Sequence, residues 1–268
     1  YGAVIAFKDY SLLTGIWRSP WCGFTHFASF FNSPSFLPLL RNTFLISAYK
    51  IVFGFPMAIA LALMLNEVAN KRLKSVVQTI SAVPHFVSWV VIAGIMTTLL
   101  SPTNGPVNEV LKFAGYRPVF FLGTKRWFRP LLVISEIWKE SGWSAIIYLA
   151  AMSGIDPELY EAARVDGASK YRQMVSVTLP CIRATIAVVF ILRVGNILNA
   201  GFEQVITLIN PLVMSVGDII DTRVYRNGLI YHQYSLATAV NLFKSVVGMV
   251  LIVSSNWLVR RSGERGIW

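Results

Sequence analysis

Apolar residues in this chain gather into long blocks instead of recurring every three or four positions as the stripe of a soluble amphipathic helix. Five blocks approach or exceed the roughly 20 residues a helix needs to cross a bilayer core. They cover 42–65, 76–100, 131–155, 182–200 and 235–259, and each predicts a spanning helix. The fold class is therefore an all-α, polytopic membrane helix bundle. Pro56 and Pro84 fall inside the first two blocks and predict kinks, not breaks, because neighbouring helices in a bundle re-satisfy the freed backbone groups. On this division residues 1–41 are an outer segment, 42–259 a single transmembrane domain with a polar loop at 156–180, and 260–268 a tail on the inner side.

Composition supports the class. Of 268 residues, 55% are hydrophobic and only 14% charged, with a mean hydropathy of +0.58, too apolar for a soluble domain of this length. Cys22 and Cys181 lie far apart and form no C-x-x-C, so they read as small apolar fillers. His26, His85 and His232 share no metal-ligand spacing and read as structural, so no metal is assigned. No nucleic-acid partner is assigned either. Residues 1–7 are apolar and read as the end of a longer run, with one further span expected before them.

Charge leaves the orientation open. One side, comprising 66–75, 158–183 and the segment from 260, carries ten Lys and Arg; the other side also carries ten. The first side is shorter and so denser in charge, which leans toward its being cytoplasmic. Ionisable residues inside spans are costly and face a bundle interior or a wet cavity. Lys50, Glu136, Lys139, Glu140, Arg193 and Lys244 are such residues. Glu136, Lys139 and Glu140 are within helical reach of one another near the outer end of their span, so mutual pairing is expected there. Lys50, Arg193 and Lys244 have no partner nearby in sequence. Asn196 and Asn199 extend a stripe from Arg193 at i+3 and i+6, with Glu203 and Gln204 following, and together these read as the lining of a polar path. Interhelical hydrogen bonding inside the bundle explains the same residues equally well.

The loop 156–180 is too regular for an unstructured connection. Asp156 can cap a helix whose first residue is Pro157, and Glu158 sits favourably at its positive end. Ala163 and Gly167, four apart, are expected on one face where a partner backbone could approach, with Glu161, Arg164 and Asp166 around it. Gly167 also suits a turn into a second helix ending at Leu179 and Pro180.

Here the sequence resembles the permease subunits of ATP-binding-cassette importers, whose shared cytoplasmic signature is E-A-A, a Gly four residues after the second Ala, and an I-x-L-P ending. Glu161, Ala162, Ala163, Gly167 and the run Val177, Thr178, Leu179, Pro180 match it, with Val177 in place of Ile. The resemblance extends to the carbohydrate-uptake branch, and within it to permeases for oligosaccharides and uronates such as alginate. It is carried by residues 21–27 (Trp-Cys-Gly-Phe-Thr-His-Phe), 41–43 (Arg-Asn-Thr), 104–108 (Asn-Gly-Pro-Val-Asn), 138–140 (Trp-Lys-Glu) and 263–268 (Gly-Glu-Arg-Gly-Ile-Trp).

The resemblance implies that 156–180 is a coupling helix docking an ATPase through Glu161, Ala162, Ala163, Asp166 and Gly167, which makes that side cytoplasmic. It implies two ATPase subunits, a second and different permease, an external solute-binding protein and a lipid environment in a bacterial cytoplasmic membrane. ATP and Mg are expected on the partner, because no G-x-x-x-x-G-K-[ST] loop occurs in this chain; no G-x-S-x-G or H-E-x-x-H motif suggests an enzyme either. The chain itself is expected to bind no cofactor. The outer loop 101–130 carries five bases against Glu109, a charge balance that suits an anionic sugar or an acidic partner. Trp127, Trp138 and Trp143 read as an outer aromatic belt. A permease for a neutral sugar or other polar solute fits the same features, and a stand-alone secondary transporter would need an internal repeat that the sequence does not show.

Overall fold

The first apolar block folds as one helix, α1, Phe36–Asn66, seen in a computed structural model that describes residues 2–261. Pro56 is tolerated because a π-helical turn, Lys50–Gly54, lies just ahead of it, where the hydrogen-bond ladder is already wider. The helix continues through the proline, as expected for a bundle.

The second block does not behave that way. α2, Lys71–Ala82, starts on an Asn70 cap whose side chain accepts from Arg72 and Leu73 N–H. It tightens into a 3-10 turn, Val83–Phe86, and stops; Val87 is extended, with ψ 131°, and α3, Trp89–Leu99, begins anew. Pro84 thus marks a break, which corrects the expected kink. Three carbonyls at this end, those of Pro84, His85 and Val87, accept instead from the Lys139 ammonium.

In the loop 101–130, α4 is Pro106–Phe113. Buried Asn108 ties that loop together: its amide donates to the carbonyls of Leu100, Ser101 and Val119, and its oxygen accepts from Val119 N–H. α5 is Lys125–Ser153, 29 residues long. It starts six residues before the third block, so Glu136, Lys139 and Glu140 lie in its middle and not near its outer end. α6, Pro157–Val165, and α7, Lys170–Cys181, make the polar hairpin. α7 bends by 64° into α8, Arg183–Gly195, which ends five residues short of the fourth block. α9 is Phe202–Leu208, α10 is Ile220–Tyr225, and α11 is Tyr234–Arg261. Among the described residues α1 and α11 are each long and apolar enough to cross a membrane, and the α2–α3 and α7–α8 pairs are so when each is taken as one span. The resembling segment 263–268, and the tail beyond Arg261, lie outside the described residues.

The chain divides into two compact units. The first comprises residues up to Ala48, Trp89–Leu132 and Gly195–Val250; the second comprises Tyr49–Ser88, Val133–Val194 and the segment from Leu251. In the first unit, Ile46, Phe128, Leu132, Val205 and Ile219 share one core. Buried Gln204 donates to the Leu132 carbonyl at 2.7 Å, so a polar side chain joins α9 to α5. In the second unit the core is Ala58, Ala62, Ala145, Tyr148, Met152 and Ile182. Its alanines let helices approach closely. Gly142 goes further: a Cβ there would strike the backbone of Ser81 and Ala82, so α5 touches α2 through bare backbone.

Candidate functional site

The hairpin 156–180 is built by short-range rules. Asp156 is extended and its carboxylate accepts from Glu158 N–H at 3.0 Å, with Pro157 in the first turn where its missing donor costs nothing. α6 ends at Val165. Gly167 takes φ +76°, its N–H bonds the Arg164 carbonyl at 3.0 Å, and Ala168 N–H bonds that of Ala163 at 2.9 Å. That pair of bonds is the Schellman closure, which asks for glycine at this place. Ser169 then caps α7, and Gln173 returns a bond to the Ala168 carbonyl at 2.8 Å.

Ala163 and Gly167 therefore do not share a helical face, as the spacing predicted. Gly167 lies beyond the helix, in open space, and its role is to turn the chain. Glu161, Ala162, Arg164, Asp166 and Gly167 are exposed, Ala163 is half-buried, and Val165 at the tip is 88% exposed. Tyr160 Oη meets buried Thr178 Oγ1 at 3.0 Å and ties α6 to α7, a contact that sequence reasoning missed.

The second unit also holds a layer of ionisable side chains with distant partners. Lys50 Nζ lies 3.2 Å from Glu136 Oε2. Glu140 Oε2 lies 2.8 Å from His85 Nδ1, and the His85 ring stacks on Trp143 with centroids 4.6 Å apart and planes 2° from parallel. Lys139 is buried; beyond the three backbone carbonyls it reaches Glu140 only at 3.9 Å. Arg193, exposed, donates to Ser144 Oγ at 3.2 Å. Mutual pairing is thus borne out for Lys139 and Glu140 at 3.9 Å, while Glu136 and Glu140 have shorter contacts with Lys50 and His85 from elsewhere in the second unit. Lys50, which has no partner nearby in sequence, has one in space. Trp143 belongs to this stack.

The first unit holds its own set. Lys244 of α11 pairs with Asp221 of α10, so it too has a partner in space. Arg226 bonds Asp218, and the Asp218 carbonyl accepts from Asn42 at 3.0 Å. Asn196 and Asn199 lie past the end of α8, in a turn closed by Asn199 N–H to the Asn196 carbonyl at 2.8 Å, with their side chains also bonded to each other at 3.1 Å. The expected helical stripe from Arg193 is therefore replaced by a turn. Glu203 is exposed at the start of α9. Of the five outer-loop bases, Arg129 is spent on Asn42 and the Val216 carbonyl, and Lys112 on Glu109 at 2.7 Å; Arg117, Lys125 and Arg126 remain exposed. No group of three or more His, Cys, Asp and Glu among the described residues is placed to hold a metal ion.

Comparison with known proteins bears on these features. The family model described as binding-protein-dependent transport system inner membrane component matches residues 51–265, which include the whole hairpin. Protein LplB of Bacillus subtilis is 45% identical over 268 residues, covering 100% of this chain and 84% of its own length. The polygalacturonan/rhamnogalacturonan transport system permease protein YteP of the same organism has the same identity and coverage. A chain from the crystal structure of a bacterial alginate transporter of the ATP-binding-cassette type, in complex with an alginate pentasaccharide-bound periplasmic protein, superposes with a TM-score of 0.90 at 43% identity, over 99% of this chain and 88% of that one.

Proposed function

This chain belongs to the binding-protein-dependent transport system inner membrane components, and from that premise we propose how its two kinds of site divide the work of an oligosaccharide importer. The chain is the permease subunit of an ATP-binding-cassette importer. The hairpin 156–180 is the surface on which an ATPase subunit docks, through Glu161, Ala162, Ala163, Asp166 and Gly167. The observation that carries this reading is a doubly capped hairpin whose polar tip is exposed.

In the working assembly two ATPase subunits bind ATP and Mg and hydrolyse the nucleotide. This chain and a different second permease form the path, and an external solute-binding protein delivers the cargo at the bacterial cytoplasmic membrane. Nucleotide-driven closure of the ATPases moves the hairpins, and the helices alternate between outward and inward openings. Lys50, Arg193, Asn196, Asn199, Glu203 and Lys244 are the path candidates within the units that hold them.

The cargo is an acidic oligosaccharide. Support comes from the relatives: polygalacturonan and alginate are both polymers of uronic acid, and Arg117, Lys125 and Arg126 keep the outer loop basic within screening range of about 8 Å. With the importer reconstituted in liposomes, uptake of tetragalacturonate is expected to exceed that of its methyl ester; preference for the ester refutes the acidic cargo.

The docking assignment is tested by bulk against turn geometry. Gly167→Asn tolerates the left-handed conformation and keeps substrate-stimulated ATPase activity, whereas Gly167→Trp loses it. Undiminished activity in Gly167→Trp removes the assignment.

A further inference from the structure

Polar residues along α11 are not scattered. Tyr234, Thr238, Asn241 and Lys244 recur every three or four positions, the spacing that places them on one face of an otherwise apolar helix. A polar face on a helix apolar enough to span a membrane requires water, a ligand or a partner in front of it. Lys244 meets its requirement through Asp221. The rest of the stripe fronts a cleft of about 620 Å³, wholly within the first unit and within the size of small-molecule sites, about 300–1,000 Å³.

The cleft's other walls are shaped by two glycines. Gly201, at φ +89°, turns the chain into α9 and presents Asn199 and Phe202. Gly228 lets the π-helical turn after α10 lie against α11, since a Cβ there would come within 2.8 Å of the Ala237 methyl. Tyr225 and Phe202 stand together with ring centroids 5.4 Å apart, tilted by 45°. The cleft thus offers aromatic rings from three directions, two carboxamides and a threonine hydroxyl. Asn241 is exposed on it, so its amide is available to a ligand.

This chemistry is selective. Aromatic faces pack on the apolar C–H faces of a pyranose, while planar amides and hydroxyls exchange hydrogen bonds with its ring hydroxyls. A lipid chain would be served by the rings but would leave the Asn241 amide unserved, at about 1–3 kcal/mol for a polar group so buried; the Asn199 amide already donates to Asn196 Oδ1. Charge is absent as a recognition element: Asp221 is the lining acid, Lys244 compensates it, and no Lys or Arg lines the cleft among the described residues.

We propose that the cleft between α9, α10 and α11 is a sugar subsite, taking one pyranose ring of the cargo by its C–H face and hydroxyls and without regard to its carboxylate. The proposal rests on the reading that the cargo is an oligosaccharide, and it separates two tasks. The cleft grips the ring, while discrimination by charge belongs to other residues.

The test uses the complete importer with its partner permease, ATPases and binding protein in liposomes, with tetragalacturonate and its fully methyl-esterified form as probes. In a Cys22→Ser, Cys181→Ser background, Asn241→Cys is expected to react with a water-soluble maleimide, and both sugars are expected to slow the reaction during turnover. Tyr225→Ala and Asn241→Ala are expected to raise KM for both sugars by about three- to tenfold, the loss typical of one such contact, with their ratio unchanged. Tyr225→Phe keeps the ring and stays near the parent.

An unreactive Asn241→Cys, meaning that protein or lipid covers the cleft, overturns the proposal. So does labelling that neither sugar slows while import proceeds. A KM change for the acid alone overturns the indifference to charge. If the parent importer carries neither sugar, the oligosaccharide cargo itself is wrong and the subsite falls with it, an outcome distinct from the others.

Discussion

The hairpin 156–180 and the charged layer around Lys139 belong to the same unit and face the same problem, backbone and side-chain polar groups without regular partners. They solve it over opposite ranges. In the hairpin the bonds that cap and turn the backbone are local: Asp156 reaches Glu158, Gly167 reaches Arg164, and Ala168 reaches Ala163. In the layer Lys50 bonds a partner 86 residues away, His85 one 55 away, and Lys139 caps carbonyls 52 to 55 residues away. Local closure leaves the hairpin free to present its tip to another protein. Distant closure ties helices together, so that the layer acts as a fastener for the second unit.

The strongest way to break this comparison is to remove Lys139. Lys139→Met keeps the length of the side chain but strips the ammonium from the carbonyls of Pro84, His85 and Val87 at the broken end of α2. Loss of one member of a buried charged network costs about 3–5 kcal/mol. Thermal unfolding of the detergent-solubilised importer is expected to show a large drop in midpoint, well beyond that of any hairpin variant. A Lys139→Met protein as stable as the parent would mean that the break at Val87 is held by packing alone.

Legibility in the sequence follows the same division. The blocks behind α1 and α11 and the capped hairpin were readable because each depends on neighbours in the chain: block length for α1 and α11, Asp156 with Pro157 for α6, and a glycine for the turn. Pro84 shows the limit. A proline inside an apolar block allows either a kink or a break, and the choice here is made by Lys139, whose position is known only once α5 is packed on α2. Likewise Asn196 and Asn199 have helical spacing from Arg193, but the helix stops at Gly195 and the spacing loses its meaning. Asp221 was not readable as the mate of Lys244, 23 residues on, because that pairing depends on how α10 packs against α11.

A middle-sized effect is expected at the hairpin's start. Asp156→Ala removes the carboxylate that accepts from Glu158 N–H and should cost about 1 kcal/mol. Because closure is local, the loss should be local as well. Hydrogen exchange is expected to speed up across α6 by about fivefold, the factor that 1 kcal/mol gives, while exchange in α5 stays unchanged. Equal acceleration in α5 would show that the hairpin is coupled to the layer after all.

The smallest effect is expected where the hairpin makes an ion pair with a distant residue. Lys170 Nζ lies 3.7 Å from Glu67 Oε2 and joins the start of α7 to the end of α1. By sequence distance it belongs with the layer, but the Lys170 side chain is 74% exposed, against 7% for Lys139. Water screens it, and the side chain loses rotamer freedom to hold one geometry, so such pairs contribute about 0.2–1 kcal/mol. Glu67→Gln should therefore shift the unfolding midpoint within or barely beyond measurement error, and raising the salt concentration should erase what remains. This variant separates range from burial. If it destabilised the importer as much as Lys139→Met, sequence distance itself would set the energy; the expected small, salt-sensitive change assigns the difference to burial, with distance deciding only what the sequence reveals.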